Sequence, residues 1–407
     1  MTATDLDDLL SDEAVNRPFS YYAKLRQINP VYWNSRWKGW IVTGYDEVVA
    51  GYRDAQRLSS DRFSGPFGSE LRGEAEARPQ LMSFLSKFFV WKDPPYHTHM
   101  RKLVNKAFSP KSVALLRPRI NGLVRELTDA LRGRNEVDFL TDFAFHLPVV
   151  VIAEYLGIPP EARFEVRKWS DDLGAIVFVR GNDTDRLRRG EIAMNNLVEF
   201  LRPIVRDRQR DPKDDLITNM VHVEERGERL TENQVIANAV LMVFAGHETT
   251  MNLLANAVVA FSEFPEQWQR IRGNPQLVRT ATEEILRYDG PIRGLGRWAK
   301  ESFQLGEQVI AANDRVLLVQ QAANHDPSAF DNPDEVDVAR WPNKHAAFGQ
   351  GIHTCLGAPL AQAETQEALA YLTQEFSEIR VLTQRLEYNP TLVSRSLKHL
   401  QVKFCET

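Results

Sequence analysis

Cysteine is almost missing from this 407-residue sequence: Cys355 and Cys405 are the only two. That excludes a disulfide framework and suits a reducing compartment. Also missing is any run of about 18 apolar residues, the length a membrane-spanning helix needs. The nearest approach, residues 235–264, is broken by Asn238, His247, Glu248, Asn252 and Asn256. Residues 1–17 are acidic and lack the basic-then-apolar order of a secretory leader. These absences predict a cytoplasmic protein with no membrane segment. Positive charge is not in excess either: 50 Lys and Arg face 55 Asp and Glu, a formal charge of −5, which argues against a nucleic-acid binder. No repeat, low-complexity stretch or Gly/Ser-rich linker interrupts the chain. Its length would fill two or three ordinary domains, yet residues 1–407 read as a single large one.

What is present is ordinary globular material, 43% hydrophobic and 26% charged, which rules out disorder. Apolar residues recur at helical spacing over 18–27, 113–131, 143–156, 162–178 and 185–209. Thr231 followed by Gln234 is a capping-box pattern. It opens a proline-free stretch to Phe264, long enough to cross a domain. A further helix is expected over 277–288, closed by Gly290-Pro291, and a last one starts near Pro359. Strand-like pieces are few: 31–35, 39–43, 303–311 and 315–320. A Pro/Asp/Asn-rich coil fills 324–342. The fold class is mainly α with minor β.

Two clusters carry most of the chemistry. The first is Phe348-Gly349-Gln350-Gly351-Ile352-His353-Thr354-Cys355-Leu356-Gly357. Its glycines let a loop approach a flat ligand closely. Pro359 suits the first turn of a helix, whose free N–H groups and dipole would favour a Cys355 thiolate, a metal ligand. Alone, a cysteine such as Cys355 is more commonly a small buried thiol, the reading Cys405 keeps. The second is Ala245-Gly246-His247-Glu248-Thr249-Thr250 in the middle of the long helix. An acid and an alcohol in an apolar helix centre are costly unless used or satisfied; Thr249 bonding back to the carbonyl at 245 is the bland alternative. A zincin His-Glu-x-x-His motif is excluded, because residue 251 is Met.

The spacing F-G-x-G-x-H-x-C-x-G is similar to the haem-binding loop of the cytochrome P450 family, the haem-thiolate monooxygenases. Other segments agree with it in order, from about Arg17 onward. Ala245-Gly246-His247-Glu248-Thr249 looks like the family's oxygen-activation motif, with Ala245 and Gly246 leaving space beside the haem. Glu284-x-x-Arg287 with Arg340 matches its Glu-x-x-Arg pair and added arginine, a structural ion network, although an exposed i, i+3 pair alone would mean nothing. Asp93-Pro94-Pro95-Tyr96-His97-Thr98-His99-Met100-Arg101 resembles the entry to its haem-contacting helix. His97, Arg101, Arg297 and His353 then supply charge-assisted partners for two haem propionates. Departures exist: Tyr96 stands where Glu is common, His99 where Arg is frequent, and Gln362 where many relatives have Arg.

The resemblance implies the cytochrome P450 fold, with small β-sheets and a long central helix over haem b. It implies Cys355 as axial ligand, with Phe348 and Gly357 beside it, and Glu248 and Thr249 as the proton path for O2 activation. One oxygen atom would enter a C–H bond of a small, largely apolar organic substrate. Leu241, Phe244, Phe84, Phe88, Phe89, Ile292, Arg293 and Leu295 would border the pocket, though the same residues could be plain core. Arg293 invites a sharper expectation, a substrate carboxylate held by its guanidinium. The stretch after Gly357 leaves no room for a reductase domain, so electrons would come from a separate ferredoxin or flavodoxin. Lys102, Lys106, Lys344 and His345 are the candidate docking face. A haem sensor without turnover, a peroxygenase, and a zinc site of Cys355, His353 and His345 are the alternatives. The Glu248–Thr249 pair disfavours the first two, and the missing second cysteine the third.

Overall fold

The longest helix of the computed structural model, which describes residues 6–177 and 185–406, is Glu232–Glu263, and it starts as its capping box dictates. Thr231 Oγ1 accepts the Gln234 N–H at 3.3 Å, and the Gln234 side chain takes the Thr231 N–H at 2.9 Å. Its side chains are buried almost from end to end, on every face. A helix apolar all round belongs inside a protein, and helices pack on it from several sides: His146–Leu156, Arg163–Val177, Arg186–Arg210, Val278–Asp289 and Ala358–Glu375. Most helices expected from periodicity fall within a few residues of these bounds. The helix expected over 162–178 is described as far as Val177; Phe178 lies outside the described residues. Among the described residues no helix is long and apolar enough to cross a membrane.

The β portion is small and lies to one side. One sheet has the order Val31–Asn34, Gly39–Val42, Arg315–Leu318, Leu295–Ala299, Leu58–Ser59. Its first pair is antiparallel, as expected for 31–35 and 39–43, while Arg315–Leu318 joins Gly39–Val42 in parallel. Val316 opposite Arg297 fixes the register of the strand that carries Arg297. In a second sheet Gln401–Glu406 pairs with Phe376–Val381 on one side and Val137–Asp138 on the other, and the stretch 303–311 is a short hairpin.

Three apolar clusters result. The largest surrounds the central helix, a second lies under the five-stranded sheet with Leu295 against it, and a third seats Leu6, Leu9, Ala14, Tyr21, Tyr22 and Leu25. Helices Tyr45–Arg53, Gly65–Ala77 and Pro79–Leu85 have no counterpart in the sequence reading, being short and weakly periodic.

Candidate active site

The cysteine loop is folded by its own backbone. Cys355 N–H donates to the Phe348 carbonyl at 2.8 Å, and Gly349 N–H to Ala346 at 2.9 Å. Gly349 and Gly351 sit at φ +66° and +70°, where a side chain is strained. At Gly351 a Cβ would also lie 2.6 Å from the Tyr52 carbonyl. Helix Ala358–Glu375 follows directly, with Pro359 in its first turn. Burial pushes the Cys355 thiol up; the N–H groups of Gly357 and Ala358, and the Arg101 cation, act in the opposite direction. Cys355 is nevertheless an exposed residue rather than part of the packed core.

A cationic wall stands beside it. The rings of His97 and His353 lie 4.1 Å apart, and neither ring nitrogen of either residue has a hydrogen-bond partner although all four are buried. Burial, helped by Arg101, pulls His97 down to about 4; burial and then Arg297 pull His353 lower still. Arg101 donates to the Thr354 carbonyl at 2.5 Å and lies over Phe89. Arg297 lies over Tyr52 and donates to its neighbour Gly296. Sequence reasoning missed a third guanidinium, Arg62, which has no place in any motif. Burial and Arg297 lower it to about 10. These unsatisfied donors and crowded cations fit the two carboxylates of a haem, and the Cys355 sulfur, cradled by N–H groups, fits its axial ligand.

Across the central helix the picture is mixed. Ala245 is exposed in the middle of a helix whose other positions are mostly buried, so it borders open space. Gly246 is half-buried, and a Cβ there would meet Ile152 Cγ1 at 3.3 Å, so its smallness also serves the close approach of helix His146–Leu156. Thr249 Oγ1 donates to the Ala245 carbonyl at 2.9 Å, and Glu248 is buried. His247 joins this helix to Arg163–Val177. Its Nδ1 is 2.7 Å from the Val243 carbonyl and its Nε2 3.2 Å from Asp171, which also pairs with Arg167 at 3.0 Å. Both ring nitrogens face oxygen acceptors, so the side chain bridges the two helices.

Leu241, Phe244 and Phe88 are buried, and the Phe88 and Phe244 rings stack at 5.9 Å. Phe84 and Ile292 are half-buried against the main cluster, whereas Leu295 packs against the sheet cluster. Arg293 is not in the pocket. It is 1% exposed and donates to the carbonyls of Thr391 (2.5 Å) and Ala14 (2.7 Å) and to the Tyr22 hydroxyl (2.9 Å). Three protein acceptors take three of its five N–H donors, including both on Nη2, and hold the side chain inside the protein. His345 likewise leaves the expected docking face, because it is largely covered and pairs with Glu283 at 3.0 Å. Lys102 and Lys344 are exposed. Lys106 is exposed too and pairs with Glu225.

Behind the cysteine loop, Glu284 and Arg287 are fully buried and bidentate at 2.8 and 2.9 Å. Arg340 Nε reaches both Glu284 oxygens at 3.0–3.1 Å, and Asn343 adds another donor. Arg287 also donates to the carbonyls of Asn324, Pro333 and Glu335. The i, i+3 pair is therefore no solvated face; it pins the coil that leads into the cysteine loop.

Comparison with known proteins agrees with this arrangement. The family profile described as Cytochrome P450 matches residues 184–404. The biotin biosynthesis cytochrome P450 of Bacillus subtilis (strain 168) is 34% identical over 397 residues, which are 97% of this chain and 98% of that one. The solved structure of P450BioI in complex with hexadec-9Z-enoic acid ligated acyl carrier protein superposes with a TM-score of 0.88 at 32% identity, covering 98% of this chain and 100% of that one. CYP109E1 from Bacillus megaterium in complex with corticosterone gives 0.84 at 29%, covering 96% and 99%.

Proposed function

Because the chain belongs to the cytochrome P450 family, haem-thiolate monooxygenases with a cysteine axial ligand, we propose that Cys355 is that ligand and that the enzyme inserts one oxygen atom of O2 into a C–H bond of a largely apolar substrate. The haem, when bound, supplies the activation of O2 that no side chain can provide. Cys355 holds it from one side, with its charge supported by the Gly357 and Ala358 N–H groups. His97, Arg101, Arg297 and His353 hold its carboxylates. Thr249 rests with its proton on the Ala245 carbonyl, so its oxygen lone pairs remain free to accept a hydrogen bond. Giving up that resting bond lets the hydroxyl donate, and Glu248 passes protons toward it.

Phe88, Phe244 and Leu241 support an apolar substrate. Two related structures hold a fatty acyl chain on its carrier protein and a steroid, and both ligands are largely apolar. The withdrawal of Arg293 into the protein removes the reason to expect a carboxylate fixed at that point. Electrons arrive from a separate acidic ferredoxin or flavodoxin that docks over Lys102, Lys106 and Lys344. The chain acts as one catalytic domain, in the cytoplasm.

The observation that carries this reading is an exposed cysteine whose sulfur is cradled by two backbone N–H groups, beside four buried imidazole nitrogens that have no partner among the described residues. Reduced, carbon-monoxide-treated protein should show the red-shifted Soret band of thiolate-ligated haem, and Cys355→Ser should lose it. A serine variant with an unchanged band and undiminished hydroxylation overturns the assignment. For the substrate class, binding spectra with hexadecenoic acid, its carrier-protein thioester and corticosterone should show a low-to-high-spin shift for at least one. No shift with any of them rejects the largely apolar substrate.

A further inference from the structure

Arg62 lies, half-buried, in the turn after the edge strand Leu58–Ser59, and its surroundings explain how it is laid against the sheet. The turn continues through Gly65 at φ +57°, where a Cβ would lie 2.6–2.9 Å from the Trp298 ring. The chain can therefore cross closely over Trp298, whose indole N–H donates to the Asp61 carbonyl at 3.0 Å. That crossing lays the Arg62 guanidinium over Gly296. A Cβ at Gly296 would stand 3.6 Å from Arg62 Nη2 and 3.4 Å from Phe67 Cζ. Arg62 is stacked on the Phe67 ring at 5.0 Å, and the next residue of the strand, Arg297, is the other guanidinium of the wall.

A half-buried guanidinium within reach of the Arg297 charge loses hydration and is repelled by it. Among the described residues no carbonyl or carboxylate accepts a hydrogen bond from Arg62. The nearby acids are committed elsewhere. Asp61 accepts from the Phe63 N–H at 2.8 Å and pairs with Lys92 at 3.6 Å. Asp93 accepts from Ser59 Oγ at 2.7 Å and the Ser60 N–H at 2.9 Å, and it pairs with Lys300 at 3.7 Å. Arg297 donates to the neighbouring Gly296 carbonyl only. A native fold retains such a pair when an anion completes it.

We propose that Arg62 is a haem-binding residue, forming with Arg297 a two-guanidinium clamp for one haem propionate while His97, Arg101 and His353 serve the other. This rests on the haem reading given above and adds a residue and a division of labour to it. Arg62 acts on the cofactor's carboxylate and not on the iron, so thiolate ligation does not depend on it.

The test compares wild type, Arg62→Gln and Arg62→Lys, each loaded with haem and, separately, with haem dimethyl ester, whose carboxylates are masked. Haem loss is followed by transfer to excess apomyoglobin, and the reduction potential is measured in parallel. Arg62→Gln should speed loss of ordinary haem about tenfold or more, the size of one charge-assisted hydrogen bond, and should move the potential in the negative direction. Arg62→Lys should fall between Gln and wild type. With the dimethyl ester the three proteins should release at the same rate. Equal acceleration for both cofactors means a structural role and overturns the proposal, as does unchanged haem loss in Arg62→Gln. Unchanged haem loss with weaker binding of hexadecenoic acid than of the matching alcohol would assign Arg62 to the substrate instead. Wild type that takes up no haem overturns the underlying haem reading, an outcome distinct from all of these.

Discussion

Thr249 spends its resting proton on the Ala245 carbonyl at 2.9 Å, and that one bond frames what the hydroxyl can do. Removing it by Thr249→Ala should leave fold and haem spectrum intact but cut product roughly tenfold to a hundredfold, the scale of one positioned proton-transfer group. Oxygen consumption should persist and appear as hydrogen peroxide; product and peroxide measured together check this. Glu364 offers a second single-residue test. It is buried, one of its carboxylate oxygens has no partner, and burial raises it well above the ordinary carboxylate range. The folded state therefore keeps a proton that the unfolded chain gives up, so stability falls as pH rises above the unfolded value. Glu364→Gln should raise the melting temperature at pH 8 and raise it less at pH 5. Cys355 and Glu284 were legible in the sequence because each sits in an unbroken short motif. Arg62 was not, since its role depends on a turn at Gly65 that brings it across the sheet. Arg293 was misread for the converse reason: its spacing from Arg297 says nothing about which acceptors the folded chain offers.

At the scale of elements, the central helix was readable from its cap and its proline-free length. The packing around it was readable only in part, because amphipathic spacing marks a helix without naming its neighbour. Gly246 shows the gap, since it belongs to the crossing with His146–Leu156. The coil before the cysteine loop depends on another contact between elements. Glu284 accepts from Arg287, Arg340, Asn343 and the Asp337 N–H. Glu284→Gln leaves two cations without their counter-charge, at a cost of about 3–5 kcal/mol. The variant should accumulate with little haem, and its urea midpoint should fall. A haem-replete variant with the wild-type midpoint would contradict that.

Over the whole molecule, residues distant in sequence meet at buried arginines. Arg395 donates to the Val15 carbonyl at 2.7 Å and to Asp289 at 3.1 Å, and it lies over the Tyr388 ring at 3.3 Å. Arg293 joins Ala14 to Thr391. Arg395→Leu removes the cationic partner of buried Asp289, leaving it the Gln321 amide, and should lower the melting temperature by several degrees, with the Soret maximum unchanged. Composition and periodicity gave the mainly helical class; the family's architecture was legible through the order of its motifs. These long-range ties were not, because backbone carbonyls carry no signature in a sequence.

The joint at Val15 and Arg395 also sets an order in time. On a ribosome the segment near residue 15 emerges long before its buried acceptors find their arginines, so it must wait, loosely held, until almost four hundred residues have been made. Cofactor capture is then a late event in biosynthesis, completed after translation has passed the cysteine.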